Sequence, residues 1–273
     1  MEIRSISEEE IDMLLNDLLE VHGYDFTNYS RASIKRRITR LINIDKFQDF
    51  SKFKIHVRND RYYFKRFIEE ITVNVTEMFR DPLFYKTLRT QILPVLATYP
   101  LIRIWHAGCS TGEEVYSMAI ILHEANLLHK SLIYATDINP GVLKKGIDGI
   151  FPLSRMKQYS ENYILSGGTH DFSEYYSAKY NRAKFNEQLR TKVIFATHNL
   201  VTDHSFNEFQ LILCRNVLIY FDKDLQQKVL TLFDQSLEQL GFLGLGSKET
   251  INFSSLAADY RQVNKEKIWR KIA

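Results

Sequence analysis

Two glycines, Gly108 and Gly112, enclose Cys109-Ser110-Thr111 and are followed at once by Glu113 and Glu114. The run before them, Leu101-Ile102-Arg103-Ile104, reads as a buried strand. The run after them, residues 115–122, reads as a helix with an apolar face. A strand, a tight glycine loop and a helix are how a doubly wound sheet builds a nucleotide-sized site. Glycine lets the backbone approach a ligand closely. The spacing is not the dinucleotide pattern G-x-G-x-x-G, and the acidic pair would repel a pyrophosphate. A neutral or cationic ligand bearing hydroxyls fits better, such as S-adenosylmethionine (SAM) with its sulfonium, amino group and ribose diol. On the loop alone, a strand-to-helix turn without a ligand competes with that reading.

Other strand ends carry polar groups as well. Residues 131–136 form a second strand that runs into Asp137, at about the distance downstream where an acidic residue captures a ribose diol. Asp137 would also cap the helix that follows Ile138-Asn139-Pro140, and the two uses are compatible. Residues 192–197 end in His198-Asn199-Leu200, where an amide suits an adenine edge, and residues 209–214 end in Arg215-Asn216. Ligands of open α/β sheets lie at the carboxyl ends of parallel strands. Polar groups at four successive ends exceed what packing demands.

The elements that must position these residues fall into two regions. The first 70 or so residues look helical. Ser7 with Glu8, Glu9 and Glu10 marks an N-cap and an acidic first turn, and Ile11, Leu14, Leu15, Leu18 and Leu19 recur at helical spacing up to Gly23. Further helices are expected over about 30–44, 47–57 and 61–71, giving a small bundle. From residue 101 strands alternate with helices, the α/β pattern of a mostly parallel sheet. A long helix is expected over 225–240, closed by Gly241, then a strand over 242–246 and a last strand over 267–272. The stretch between Phe151 and Arg190 breaks the alternation with Gly167-Gly168 and a dense aromatic set, and is too long for a plain loop. Domains are therefore expected at 1–72 (helical), 73–98 (linker) and 99–273 (α/β), with an inserted subdomain at about 159–190.

The second helix carries Arg31, Lys35, Arg36, Arg37 and Arg40 without an acid among them. Such a run is either a solvated face or a docking surface for an acidic partner, and the unrelieved arginines favour docking. The net charge of +3 says little about partners, and no apolar stretch is long enough to span a membrane or act as a secretory signal. A cytoplasmic monomer is expected. Two cysteines make no disulfide framework, and Cys109 and Cys214 are expected near each other as ordinary buried thiols, a redox role being the lesser reading. No metal site is expected.

The chain resembles the chemotaxis-receptor glutamate methyltransferases, the CheR family. The resemblance rests on Asn74-Val75-Thr76-Glu77-Met78-Phe79-Arg80-Asp81-Pro82, on Ala107-Gly108-Cys109-Ser110-Thr111-Gly112-Glu113-Glu114-Val115-Tyr116-Ser117, on Ala135-Thr136-Asp137-Ile138, on Asn199-Leu200, and on Cys214-Arg215-Asn216-Val217-Leu218-Ile219-Tyr220-Phe221. Order and spacing agree over nearly the whole chain. Val115 departs from the proline that many members carry after the acidic pair. The resemblance implies a Rossmann-like SAM-dependent methyltransferase sheet, a small all-helical N-terminal domain and an inserted subdomain. It implies that Asn74, Thr76 and Arg80 reach the SAM pocket beside Gly108. Glu114 and Asp137 would hold the amino-acid part and the ribose, with Glu113 the alternative to Glu114. Asn199 and Leu200 would border the adenine, Arg215 and Asn216 would complete the pocket, and Arg80 and Tyr220 would flank the transferred methyl and the incoming carboxylate. The basic helix would meet the acidic, helical methylation region of a receptor, and the 159–190 region docks a receptor tail in some members.

The implied reaction gives a glutamyl methyl ester and S-adenosylhomocysteine (SAH). A glutamate is already ionised at neutral pH, so no general base is needed. The site must hold a carboxylate oxygen in line with the methyl and keep it dry. One rival is a nucleic-acid methyltransferase, but Cys214-Arg215-Asn216-Val217 stands where amine-methylating DNA enzymes carry Asp/Asn-Pro-Pro-aromatic. The other is a SAM-binding adaptor without turnover, which would not need Arg80 and Tyr220.

Overall fold

The computed structural model describes residues 6–72 and 74–272. The chain divides into two compact units, one of residues up to Asn74 together with Ile219–Lys228, the other of Val75–Leu218 and Val229 onward.

The first unit is built on α1 (Glu8–His22), α2 (Arg31–Ile44), α3 (Phe50–Asn59) and α4 (Arg61–Ile71). Ser7 and Glu10 form a reciprocal capping box at the start of α1, and Gly23 closes it in the left-handed conformation at φ 73°. Asp49 caps α3 by accepting the Lys52 N–H at 2.8 Å, so this helix starts later than hydrophobic spacing alone suggests. Ile11, Leu14, Ile34, Ile38, Phe53 and Phe67 are buried as the bundle core. The basic face of α2 is partly answered by its neighbours: Arg31 pairs with Asp12 at 2.6 Å and Lys35 with Glu8 at 3.2 Å. Arg37 donates to the Glu70 carbonyl at 3.0 Å, while Arg36 and Arg40 stand exposed, Arg40 3.9 Å from the Glu70 carboxylate.

The second unit begins with α5 (Pro82–Thr87), a π-helical turn at Leu88–Ile92 and α6 (Leu93–Leu96). There follow β1 (Ile102–Ala107), α7 (Glu113–Glu124), β2 (Ser131–Asp137), α8 (Pro140–Asp148), β3 (Ile150–Pro152), α9 (Met156–Leu165), β4 (Tyr176–Lys179), β5 (Arg182–Phe185), β6 (Val193–Thr197) and β7 (Phe209–Cys214). Then come α10 (Lys223–Ser236), whose first residues group with the helical unit, β8 (Leu237–Leu245), β9 (Tyr260–Gln262) and β10 (Ile268–Lys271). The main sheet has seven strands in the order β6-β2-β1-β7-β8-β10-β9, parallel except that β10 runs antiparallel to both its neighbours. This is the doubly wound Rossmann-like architecture. The strand order reverses between β1 and β7, the switch point where such sheets bind ligands.

β3, β5 and β4 form a separate three-stranded antiparallel sheet that starts at Ile150, ahead of the aromatic-rich stretch. Its packing is anchored on Glu124 at the end of α7, which accepts from Tyr175 Oη at 2.7 Å and also from Tyr163 and Arg89. The carboxylate is only 8% exposed. Removing it leaves a buried guanidinium and two hydroxyls without their acceptor, at a cost of about 3 kcal/mol or more. Glu124→Ala is expected to lower the melting temperature by roughly 6–12 °C, and Glu124→Gln by less, as calorimetry would show.

The C-terminal half departs from the hydrophobic pattern. α10 stops at Ser236 rather than 240, because Leu237 already pairs with Phe209. The register then slips between Phe209 and Leu211, Leu240 takes φ 65°, and a Cβ at Gly241 would meet the Glu238 carbonyl at 2.8 Å. Gly241 therefore serves a strand irregularity, not a helix end. β9 is a short edge strand with no alternation to announce it.

Candidate functional site

The loop after β1 is held by the end of β2. The Gly108 and Cys109 N–H groups donate to the Thr136 carbonyl at 2.8 and 2.9 Å, and Trp105 Nε1 donates to Thr136 Oγ1 at 2.8 Å. Gly108 lies at φ 74°, and a Cβ there would meet Val217 Cγ2 at 2.5 Å. Gly112, at φ 93°, precedes α7, and a Cβ there would lie 3.0 Å from Gly146 Cα. Glycine is thus required at both positions by conformation and by space.

Asp137 sits beside this loop and is buried. Its Oδ2 accepts the Ser110 N–H and its Oδ1 the Asn139 N–H, both at 2.9 Å. Burial pushes its carboxyl above the usual range, against the backbone donors that pull it down. Ser110 takes φ 51°, and its buried Oγ has no partner among the described residues. A buried carboxylate with spare lone pairs, an unsatisfied hydroxyl and a loop with no room for a side chain fit a ligand bearing a diol.

Glu114, in the first turn of α7, faces a different set of groups. His106 Nδ1 lies 2.9 Å from Oε1, and Arg215 Nη1 donates to Oε2 at 3.1 Å. Burial raises its carboxyl, but His106 and Arg215 outweigh it and hold the group below the usual range. Arg215 reaches further, donating through Nη2 to Asp81 Oδ2 at 2.7 Å and to the Arg80 carbonyl at 3.1 Å, with its guanidinium 4.1 Å from the Phe84 ring centre. Burial would lower its pKa, but Glu114, Tyr85 and Asp81 raise it. Arg215 thus ties the turn around Arg80 to α7. That turn is strained, with Phe79 at φ 53° and Asp81 at φ 57°, and the Phe79 N–H donates to Ser117 Oγ at 3.0 Å. Glu113 is buried elsewhere, accepting from Thr111 Oγ1 at 2.5 Å, and burial raises its carboxyl.

Of the residues expected from sequence, the structure gathers two hydrogen-bonded groups, the Gly108 loop with Asp137, and Glu114 with Arg215 and the turn holding Arg80. Asn216 follows Arg215 in a left-handed turn at φ 61°. Asn199 and Leu200 stand after β6, where Asn199 Oδ1 accepts the Val201 N–H at 3.0 Å and Leu200 is buried. The His198 N–H donates to the Asp137 carbonyl at 3.2 Å, which ties this turn to the second strand end. Thr76 is half-buried, outside any helix or strand. Asn74 and Tyr220 belong to the helical unit: Asn74 Nδ2 donates to the Glu69 carbonyl at 3.2 Å, and the Tyr220 carbonyl accepts the Ser30 N–H at 2.8 Å. Sequence reasoning missed His106 and Asp81 as partners. A histidine on a strand that is otherwise apolar at that end was the available signal for the first. Cys109 and Cys214 are free, buried thiols, both pushed up mainly by burial. Among the described residues, no group of side chains suits a metal ion and no helix is long and apolar enough to cross a membrane.

The opposite shifts at the two carboxylates give a pH dependence. A diol at Asp137 would be held most strongly by the ionised carboxylate, whose pKa is raised, so SAH affinity is expected to be full above that value and to fall by up to about tenfold per pH unit below it. Glu114, held low, stays ionised through that window. Its own contribution to stability is present above the unfolded value of about 4.3 and is lost as pH falls through its lower folded value. Titrations from neutral pH down to about pH 4 are expected to show the loss of affinity in the wild type and a flat, weaker profile in Asp137→Asn.

The family described as CheR methyltransferase, SAM binding domain, matches residues 74–268, and CheR methyltransferase, all-alpha domain, matches residues 9–72. A putative methyltransferase Cher3 of Pseudomonas putida is 47% identical over 263 residues, covering 96% of each chain. The chemotaxis protein methyltransferase of Listeria innocua is 33% identical over 84% of this chain and 85% of that one. The chemotaxis protein methyltransferase of Salmonella typhimurium is 30% identical over 87% of this chain and 82% of its own length.

Proposed function

The chain belongs to the CheR methyltransferase family, SAM-dependent enzymes of chemotaxis, and we propose that it methylates glutamate side chains in the cytoplasmic helical region of a methyl-accepting receptor. The product would be a glutamyl methyl ester that serves sensory adaptation. The observation that carries this reading is the framework at the switch point: Asp137 beside the Gly108 loop, and the Arg80 turn locked by Arg215.

Bound SAM supplies an electrophilic methyl on a sulfonium. Asp137 would accept from the ribose hydroxyls, and Glu114, kept anionic by Arg215 and His106, would attract the amino group. Thr76, Asn199, Leu200 and Asn216 would complete the lining. Arg80 is assigned to the acceptor carboxylate, orienting it through charge-assisted hydrogen bonds. Its backbone is held by Arg215, which fixes the point from which its side chain extends. The acceptor is ionised at neutral pH, so no proton has to move. The exposed Arg36 and Arg40 on α2 support an acidic helical partner.

Peptide mapping of receptor cytoplasmic fragments after incubation with SAM tests the acceptor. A methyl group on glutamate supports the proposal; a methyl group confined to lysine, arginine or added nucleic acid overturns it.

A further inference from the structure

The turn after β8 carries a buried acidic side chain that has no part in the assignments above. Glu249 is 5% exposed, and its Oε2 accepts the Asn216 N–H at 2.9 Å and the Gly246 N–H at 2.6 Å. The Glu249 N–H donates back to the Gly246 carbonyl at 2.9 Å, so the turn closes on its own side chain. Gly246 has no room for a side chain: a Cβ there would lie 2.7 Å from Asn216 N and 2.7 Å from Glu249 Oε2. One carboxylate oxygen therefore joins the carboxyl ends of β7 and β8, which are neighbours in the sheet.

The consequence reaches the loop after β1. Asn216 is left-handed at φ 61°, a conformation that the Glu249 oxygen on its N–H helps to hold. Its neighbour Val217 fills the space over Gly108, where an added Cβ would meet it at 2.5 Å. The loops on the two sides of the switch point interlock at that contact, and Glu249 fixes one side of it. The carboxylate also lies close enough to Cys214 to add to burial in raising the thiol pKa.

We propose that Glu249 is a positioning residue for the cofactor site, setting the Asn216-Val217 turn by tying its backbone to the end of β8. This rests on the SAM reading of the switch point. The test is calorimetric titration with SAH, paired with amide hydrogen exchange read on segments 214–217 and 246–249. Glu249→Ala is expected to weaken SAH binding about tenfold or more and to speed exchange in those two segments while the rest of the sheet keeps its protection. Glu249→Gln retains an acceptor oxygen of the same reach and is expected to bind within about threefold of wild type. If Glu249→Ala does not fold, Glu249→Asp keeps the charge but is one methylene short, and about fivefold weaker binding is expected. Folded variants that all bind SAH as the wild type does would overturn the proposal. So would exchange that rises evenly across the sheet, since that marks general destabilisation. A wild-type chain with no SAH affinity would overturn the cofactor reading and this inference with it.

Discussion

Asp137→Ala is expected to weaken SAH binding by about 100-fold or more, because the two charge-assisted hydrogen bonds proposed to the ribose, of about 1.5–3 kcal/mol each, would be lost from a buried site. The carboxylate also accepts the Ser110 and Asn139 N–H groups, so its removal loosens the loop against which a ligand would lie. Both effects act in the same direction. Asp137→Asn keeps the size and one acceptor oxygen, and its loss should be intermediate. Calorimetry with SAH measures both variants; binding of Asp137→Ala within about threefold of wild type would remove the carboxylate from the ligand site.

The largest effect on stability is expected at Arg215. Its side chain is 2% exposed and stands between the carboxylates of Glu114, 14% exposed, and Asp81, 40% exposed. Arg215→Met leaves Glu114 buried with only His106 beside it and frees the Arg80 carbonyl. Breaking a buried pair from one side costs about 3–5 kcal/mol, whereas water can re-solvate the more exposed Asp81. A fall in melting temperature of about 10 °C follows. Adding Glu114→Gln removes the stranded charge, so the double variant should be more stable than the sum of the two single changes predicts. Arg215→Lys keeps the charge but not the planar fork that serves three acceptors, and should fall between. Strict additivity in the double-variant cycle would show that Arg215 and Glu114 are not coupled.

Much of this was legible in the chain. Alternating apolar runs gave the parallel strands, and the polar residues at their ends marked the switch point, because strand ends are where backbone and side chains escape packing. Ser7 and Glu10 announced the first helix through a local motif that the structure reproduces. Other features depend on contacts distant in sequence. Glu114 and Arg215 lie 101 positions apart, and nothing local says that they face each other. Nothing local tells Glu249 from any surface glutamate until β7 and β8 lie side by side. The end of α10 was misplaced because Leu237 suits the helical stripe and the strand equally well, and pairing with Phe209 decides between them. The basic run on α2 looked unrelieved because its acids, Glu8, Asp12 and Glu70, come from other helices.

Carboxyl methylation by this chain is tested most directly by the chemistry of its product. The purified protein would be incubated with methyl-labelled SAM and a receptor cytoplasmic fragment, and the washed protein treated with mild alkali. The account predicts label released as volatile methanol, as an ester requires, and none released when Asp137→Ala replaces the wild type. Label that stays on the acceptor after alkali, or wild-type protein that binds SAH yet transfers nothing to any acidic helical fragment, would contradict it.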